Sequence, residues 1–301
     1  MPLRHAVLLT IGVVAVSFSA IFIRQAHAPA LAIALYRNTI AAAMILPVVA
    51  LRNRREVASL SRRHVGIVVL AGAVLALHFA LWISSLSRTS VAASVVLVTT
   101  SPIFVAAASK ALFGERVSKT MLAGILIGVA GAGVVSGGGF AISGRAAAGD
   151  LLALGGAIAA GGYFVAGRRL RQDVSLLTYA GLVYATCAVV LLFAAVLSGT
   201  PLTGFPAKTW LLFVAMAVVP QMLGHTVFNY LLKEVEATVV AISIMGEPVG
   251  STILALAILG ETPPWTALAG GVLILAGIYV AVTAQARGRR GAIQAVAVPV
   301  E

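Results

Sequence analysis

Residues 101–115 read SPIFVAAASKALFGE, and residues 247–261 read EPVGSTILALAILGE. Each stretch has Pro at its second position and Gly-Glu at its end, and the two are offset by 248 − 102 = 146 positions. The same offset, without gaps, pairs Leu86 with Leu232, Leu122 with Leu268, Ala123 with Ala269, Gly124 with Gly270 and Gly131 with Gly277. Chance likeness between Gly/Ala-rich helices does not readily reproduce a shared Pro and a Gly-Glu pair at one gapless spacing. The chain therefore reads as two copies of one unit.

What surrounds each copy is apolar. Of 301 residues, 60% are hydrophobic and 10% charged, with mean hydropathy +1.06. Soluble domains carry roughly 25% charged residues. The missing polar surface implies lipid as the solvent, where runs of about 20 apolar residues must be helices so that their backbone is satisfied internally. Ten such runs are expected, near 6–23, 30–51, 65–84, 91–113, 120–137, 150–167, 175–197, 209–232, 238–259 and 266–285. The first repeat then covers 6–138, the second 148–285, and a cytoplasmic tail 286–301. Five spans per copy is odd, so the second copy is expected upside down, with a site near the midplane where the copies meet. The row Gly124, Gly128 and Gly131 suits close helix contact.

Ala26-His27-Ala28 resembles a signal cleavage site, but the first run is long and Arg24 and Gln25 interrupt it, so retention as a span is expected. One cysteine, Cys187, excludes an internal disulfide.

The net charge of +12 invites a nucleic-acid reading, which its distribution opposes. With a cytoplasmic N-terminus, 16 of the 21 Lys and Arg residues fall in inner loops and 4 in outer ones, and Arg37 lies within a span. This is the positive-inside bias, and it puts both termini in the cytoplasm of a cell membrane. The basic 52–64 loop faces anionic lipid in this arrangement. No aromatic residues interleave with the basic ones as base stacking requires. Nucleic acid is not an expected partner; the bilayer is.

The matching strings also resemble a known family. They are Leu35-Tyr36-Arg37, His78-Phe79-Ala80-Leu81-Trp82-Ile83-Ser84-Ser85-Leu86, Ser101-Pro102, Gly114-Glu115-Arg116, Gly224-His225-Thr226-Val227-Phe228-Asn229, Gly246-Glu247-Pro248-Val249 and Gly260-Glu261. Together they resemble the drug/metabolite transporter superfamily, in its branch with two EamA domains, over about residues 6–285. The resemblance implies ten helices, two EamA repeats and metabolite export, without naming a substrate. Thr100-Ser101-Pro102 lacks the Trp that precedes this Pro in the aromatic amino-acid exporters of the superfamily.

Ionisable groups inside a span are costly and mark candidate sites. Glu247 lies eleven positions past Glu236, about 16 Å into its span, beside Pro248, which weakens the helix. It either binds cargo and protons or satisfies backbone groups freed by the kink. His225 and Asn229 share a helix face four residues apart, and with Gln221 they form a polar stripe; His78 and Trp82 form another in the first copy. Each His either lines a cavity or holds helices together as a neutral ring. Arg37, seven residues into its span, either takes a substrate carboxylate or snorkels outward. Tyr163, Tyr36 and Trp82 either stack on a ring or amine or belong to an interfacial belt. Glu115 and Glu261 read as boundary or capping residues. The expected binding set is Glu247, His225, Asn229, His78, Trp82, Arg37 and Tyr163.

No phosphate loop and no metal-ligand spacing occurs, so no cofactor, metal or catalytic residue is expected and the chain is not read as an enzyme. The expected function is secondary transport by alternating access, as an exporter of small polar metabolites, amino acids above all, with protons as a further partner. A cationic-drug or polyamine exporter using Glu247 without Arg37 is the alternative, and an intramembrane lipid-modifying enzyme is a more distant one.

Overall fold

The computed structural model of the chain describes residues 2–115, 117–135, 144–260 and 262–296. Among these, every regular element is helical. In order they are α1 (Leu3–Gln25), α2 (Ala30–Arg52), α3 (Arg54–Ala58), α4 (Arg62–Ser85), α5 (Val91–Val98), α6 (Ser101–Phe113), α7 (Lys119–Val135), α8 (Gly144–Leu170) and α9 (Leu176–Leu197). Then come α10 (Ala207–Met216), a π-helical segment (Ala217–His225), α11 (Thr226–Leu231), α12 (Ala237–Ile244), α13 (Glu247–Leu254), a second π-helical segment (Ala255–Leu259) and α14 (Trp265–Val296).

Nine helices of the described residues are long and apolar enough to cross a membrane. The run expected over 120–137 falls on α7, a shorter apolar helix described to Val135; residues 136 and 137 lie outside the described residues, as does Glu261. Large apolar side chains such as Val69, Leu126, Phe193, Leu211 and Val272 face outward. That exposure would be untenable in water and suits lipid. The chain is a multi-pass membrane protein.

Local chemistry sets the ends. Ser61, Ser90 and Ser175 cap α4, α5 and α9, each accepting a hydrogen bond from the backbone N–H three residues on. Gly114 ends α6 at φ 66°, a left-handed conformation that a side chain would strain.

The loops gather at two opposite ends. At one end His5 meets Glu234, Glu56 meets Ser175, His64 meets Asp173 and Glu115 meets Arg168. At the other, Arg24, Leu86, Val91, Val135 and Pro264 surround one opening. We call these the basic end and the vestibule end. α1 runs from the basic end to the vestibule end, and α8, its counterpart 146 positions on, runs back. The repeats are inverted in space.

The crossing of α7 with α14 shows the inversion residue by residue. A Cβ on Gly124 would lie 2.7 Å from the Gly277 carbonyl oxygen, and one on Gly131 would lie 2.8 Å from that of Gly270. Rising numbers on α7 meet falling numbers on α14, so the pair is antiparallel. With the offset of 146, Gly124 corresponds to Gly270 and Gly131 to Gly277. Each glycine thus meets the counterpart of the other, the exchange that a two-fold axis across the helices produces.

Candidate functional site

The matching strings that begin at Ser101 and Glu247 form the second halves of two broken helices. Thr99 and Thr100 separate α5 from α6, and Met245 and Gly246 separate α12 from α13. Pro102 and Pro248 have no N–H to give the carbonyl four residues back, at Val98 and Ile244. The chain tightens instead: Thr100 N donates to Leu97 O at 3.2 Å, and its counterpart Gly246 N donates to Ser243 O at 3.0 Å. Ser101 and Glu247 then start the second halves at equivalent positions.

Both breaks open onto one small cavity of about 40 Å³. Its wall takes matched positions from the two repeats: Val98 and Ile244, Ser101 and Glu247, Trp82 and Phe228. His78, His225, Tyr163 and Ser19 complete the polar part. The aromatic rings form a continuous surface. His78 stacks on Trp82 at 5.9 Å between centroids, and His225 stands 6.5 Å from His78 and 6.2 Å from Tyr163.

Three polar atoms in this wall are buried and have no partner among the described residues: Trp82 Nε1, His225 Nδ1 and Glu247 Oε1. A buried polar atom without a hydrogen bond is costly, so the cavity is prepared for something polar. His78 is different: its Nδ1 lies 2.9 Å from the Gly156 carbonyl oxygen. A carbonyl only accepts, so Nδ1 carries the proton and Nε2 of the neutral ring is an acceptor.

Five of the seven expected binding residues therefore share one wall: Glu247, His225, His78, Trp82 and Tyr163. Arg37 and Asn229 stand behind it. Arg37 is fully buried. Its Nε and Nη2 donate to Gln221 Oε1 at 3.1 and 2.8 Å, its Nη1 donates to Ser19 Oγ at 3.2 Å, and its guanidinium lies 4.1 Å over the Phe79 ring. It neither faces the cavity nor snorkels. Asn229 accepts from Tyr163 Oη at 2.8 Å and donates to Tyr184 Oη at 3.2 Å. Tyr36 is remote, donating to Leu202 O and packed on Phe205, Trp210 and Phe213.

The expected stripe of Gln221, His225 and Asn229 is split three ways, toward Arg37, the cavity and Tyr163. The cause is the π-helical segment, in which Thr226 N donates to the carbonyl of Gln221, five residues back. Such a turn changes the angular spacing that an α-helical reading assumes, and π turns recur at functional sites. Ser101 and Phe228 were legible as counterparts of Glu247 and Trp82, though neither belonged to the expected set.

Toward the basic end, Arg168 and Arg171 tie the end of α8 to the end of α11. Arg168 Nη1 donates to Leu232 O at 2.7 Å and Lys233 O at 3.2 Å, and Arg171 Nε donates to Asn229 O at 3.0 Å. Toward the other end lies a wider vestibule of about 580 Å³, whose lining includes Ala20 and Pro248, the sequence neighbours of the wall residues Ser19 and Glu247. Among the described residues no group of His, Cys, Asp and Glu gathers to hold a metal ion.

The model of the EamA-like transporter family matches residues 3–137 and 147–283. A solved structure described only as "Crystal structure of protein" is similar with a TM-score of 0.78, over 94% of this chain and 98% of that one, at 23% identity. At that identity the likeness shows the fold alone. No curated protein matches the chain. Two family matches, one on each repeat and together spanning nearly all of the helical bundle, settle the assignment: the chain belongs to the EamA-like transporter family, within the drug/metabolite transporter superfamily.

Proposed function

We propose that the chain is a secondary transporter of ten spans, with α7 as the shortest, that exports small amine-bearing metabolites, amino acids foremost, from the cytoplasm by alternating access. In this reading the basic end is cytoplasmic, both termini lie there, and the two copies take residues 6–138 and 148–285. The observation that carries the reading is Glu247 Oε1, buried and, among the described residues, unpartnered in an aromatic cavity where both repeats break. An ammonium offers three donors to such an acceptor and is drawn to ring faces. The protein would stand open to the outside, with Arg168 and Arg171 closing the inner path.

A proton and an ammonium would compete for the one carboxylate, which couples uphill flux to a pH gradient. The test is Glu247→Gln, which keeps the size and removes the charge. Reconstituted in liposomes, it is expected to fold and to equilibrate cargo without accumulating it against a gradient. Accumulation with wild-type pH dependence overturns the coupling role of Glu247.

A second reading is favoured by the position of Arg37. With its guanidinium behind the wall, no Lys or Arg faces the cavity among the described residues, which suits a simple cation such as a polyamine or cationic drug.

A further inference from the structure

Ser101 and Glu247 occupy the same position in the two repeats, and both face the same cavity. They differ in charge. We propose, resting on the carrier reading above, that the two breaks hold opposite poles of one zwitterionic substrate: its carboxylate at the Ser101 end of α6 beside Trp82 Nε1, and its ammonium at Glu247.

Three observations separate the poles. A helix N-terminus carries about half a positive charge from its unpaired N–H groups. At α13 the carboxylate of Glu247, the first residue, more than cancels it. At α6, a helix of 13 residues, the first residue is the neutral Ser101 and the first turn holds no acid; Pro102 has no N–H and Ile103 N donates to Thr100 O, which leaves Ser101 N as the donor of that end. Nothing in the protein among the described residues takes the Ser101 hydroxyl, so it remains a donor for a ligand.

The second observation is independent of the helix. Trp82 is 4% exposed, and its Nε1 has no partner among the described residues. An indole N–H donates and never accepts, so its partner in this cavity has to be an acceptor, a place we give to the cargo carboxylate. Its counterpart in the other repeat is Phe228, which has no N–H at all. The donor therefore exists on one side of the pseudo-two-fold axis only, the side of the first repeat.

The third concerns what the wall lacks. Pro102 removes one N–H from the α6 end, and Arg37 spends its donors on Gln221 and Ser19. One helix end, one hydroxyl and one indole N–H match a singly charged carboxylate and fall short of the clamp a phosphate needs. On the opposite side Glu247 Oε1 is an acceptor, which a donor-rich group satisfies.

The experiment uses the full chain in proteoliposomes. A radiolabelled panel of the proteinogenic amino acids identifies the best cargo, which is then compared with its decarboxylated amine and its deaminated acid. The wild type is expected to prefer the zwitterion to either fragment. Trp82→Phe keeps the ring and removes the donor, so the ratio of amino-acid to amine flux should fall about tenfold, the scale of one charge-assisted hydrogen bond. Ser101→Glu puts a second carboxylate at the equivalent position. It should lose the amino acid and gain cadaverine, whose two ammonium ends fit two acids, and that gain itself reports a folded carrier. Equal wild-type flux of amino acid and amine, or an unchanged ratio in Trp82→Phe, overturns the bipolar site and leaves the amine carrier standing. Wild-type flux of neither amino acids nor amines overturns the carrier reading and this inference with it.

Discussion

Gly124 and Gly277 bring α7 and α14 together backbone to backbone: a Cβ on Gly277 would lie 2.6 Å from the Gly124 carbonyl oxygen. Neither neighbour is a flexible side chain that could turn aside. Gly277→Val therefore has to push the helices apart, at a cost of about 1–3 kcal/mol for overpacking. A clear drop in the thermal midpoint of the purified protein is expected, and the companion Gly66→Ala, where nothing lies within reach of a Cβ, should not lower it. Equal midpoints for Gly277→Val and wild type would show that the crossing tolerates separation.

Arg37 and Gln221 are a buried pair, and breaking such a pair costs more than removing it whole. Gln221→Leu alone leaves a guanidinium short of its main acceptor. We expect it to destabilise the fold more than the double change Arg37→Met with Gln221→Leu, and the double-mutant cycle should give a coupling of about 1–3 kcal/mol. A purely additive cycle in thermal unfolding would remove Gln221 as the acceptor that matters.

The proposed closed and open ends predict accessibility. In a Cys187→Ser background, Thr252→Cys in the vestibule should react with a membrane-impermeant thiol reagent added outside intact cells. Asn229→Cys, fully buried behind the wall, should not. Reporter fusions after Glu56, Lys119 and Arg169 are expected to report cytoplasm, and those after Arg88, Arg145 and Gly204 the other side. One reproducible reversal in either group contradicts the proposed orientation.

At the basic end, Glu56 ties α3 to the start of α9. Its carboxylate accepts from Ser175 N and Ser175 Oγ at 2.6 and 2.5 Å, from Thr178 Oγ1 at 2.6 Å and from Asn53 Nδ2 at 2.9 Å. Partial burial pushes this carboxyl up, and the hydrogen bonds from Ser175, Thr178 and Asn53 more than offset it, holding the group at about 2 against an ordinary 4.5. A depressed carboxyl stabilises the fold fully above its unfolded value and loses that contribution as pH falls through the folded one. Wild type should therefore melt above Glu56→Gln at neutral pH, and the gap should close as pH falls from 4.5 toward 2. A gap constant over that range would mean that the charge of Glu56 contributes nothing.

The sequence by itself determined the repeat, the membrane and the weakened helices. The offset of 146 needs only residue identity, apolar runs need only hydropathy, and Pro102 and Pro248 weaken a helix because neither has an N–H to give, as Pro47 also does inside the continuous α2. It also placed Glu247 near mid-span, since depth along a helix is a count of residues. Tertiary structure alone decided which polar groups share a space. Arg37 looked like a carboxylate binder because a charge in lipid must find a partner, and the sequence could not show that Gln221, 184 positions away, supplies it behind the wall. Gln221, His225 and Asn229 looked like one stripe because α-helical spacing was assumed, and the π-helical segment that separates them, which contains Pro220, changes that spacing. Helical period tells which residues share a face, and the neighbour that each face meets is set by how the two inverted copies close on one another.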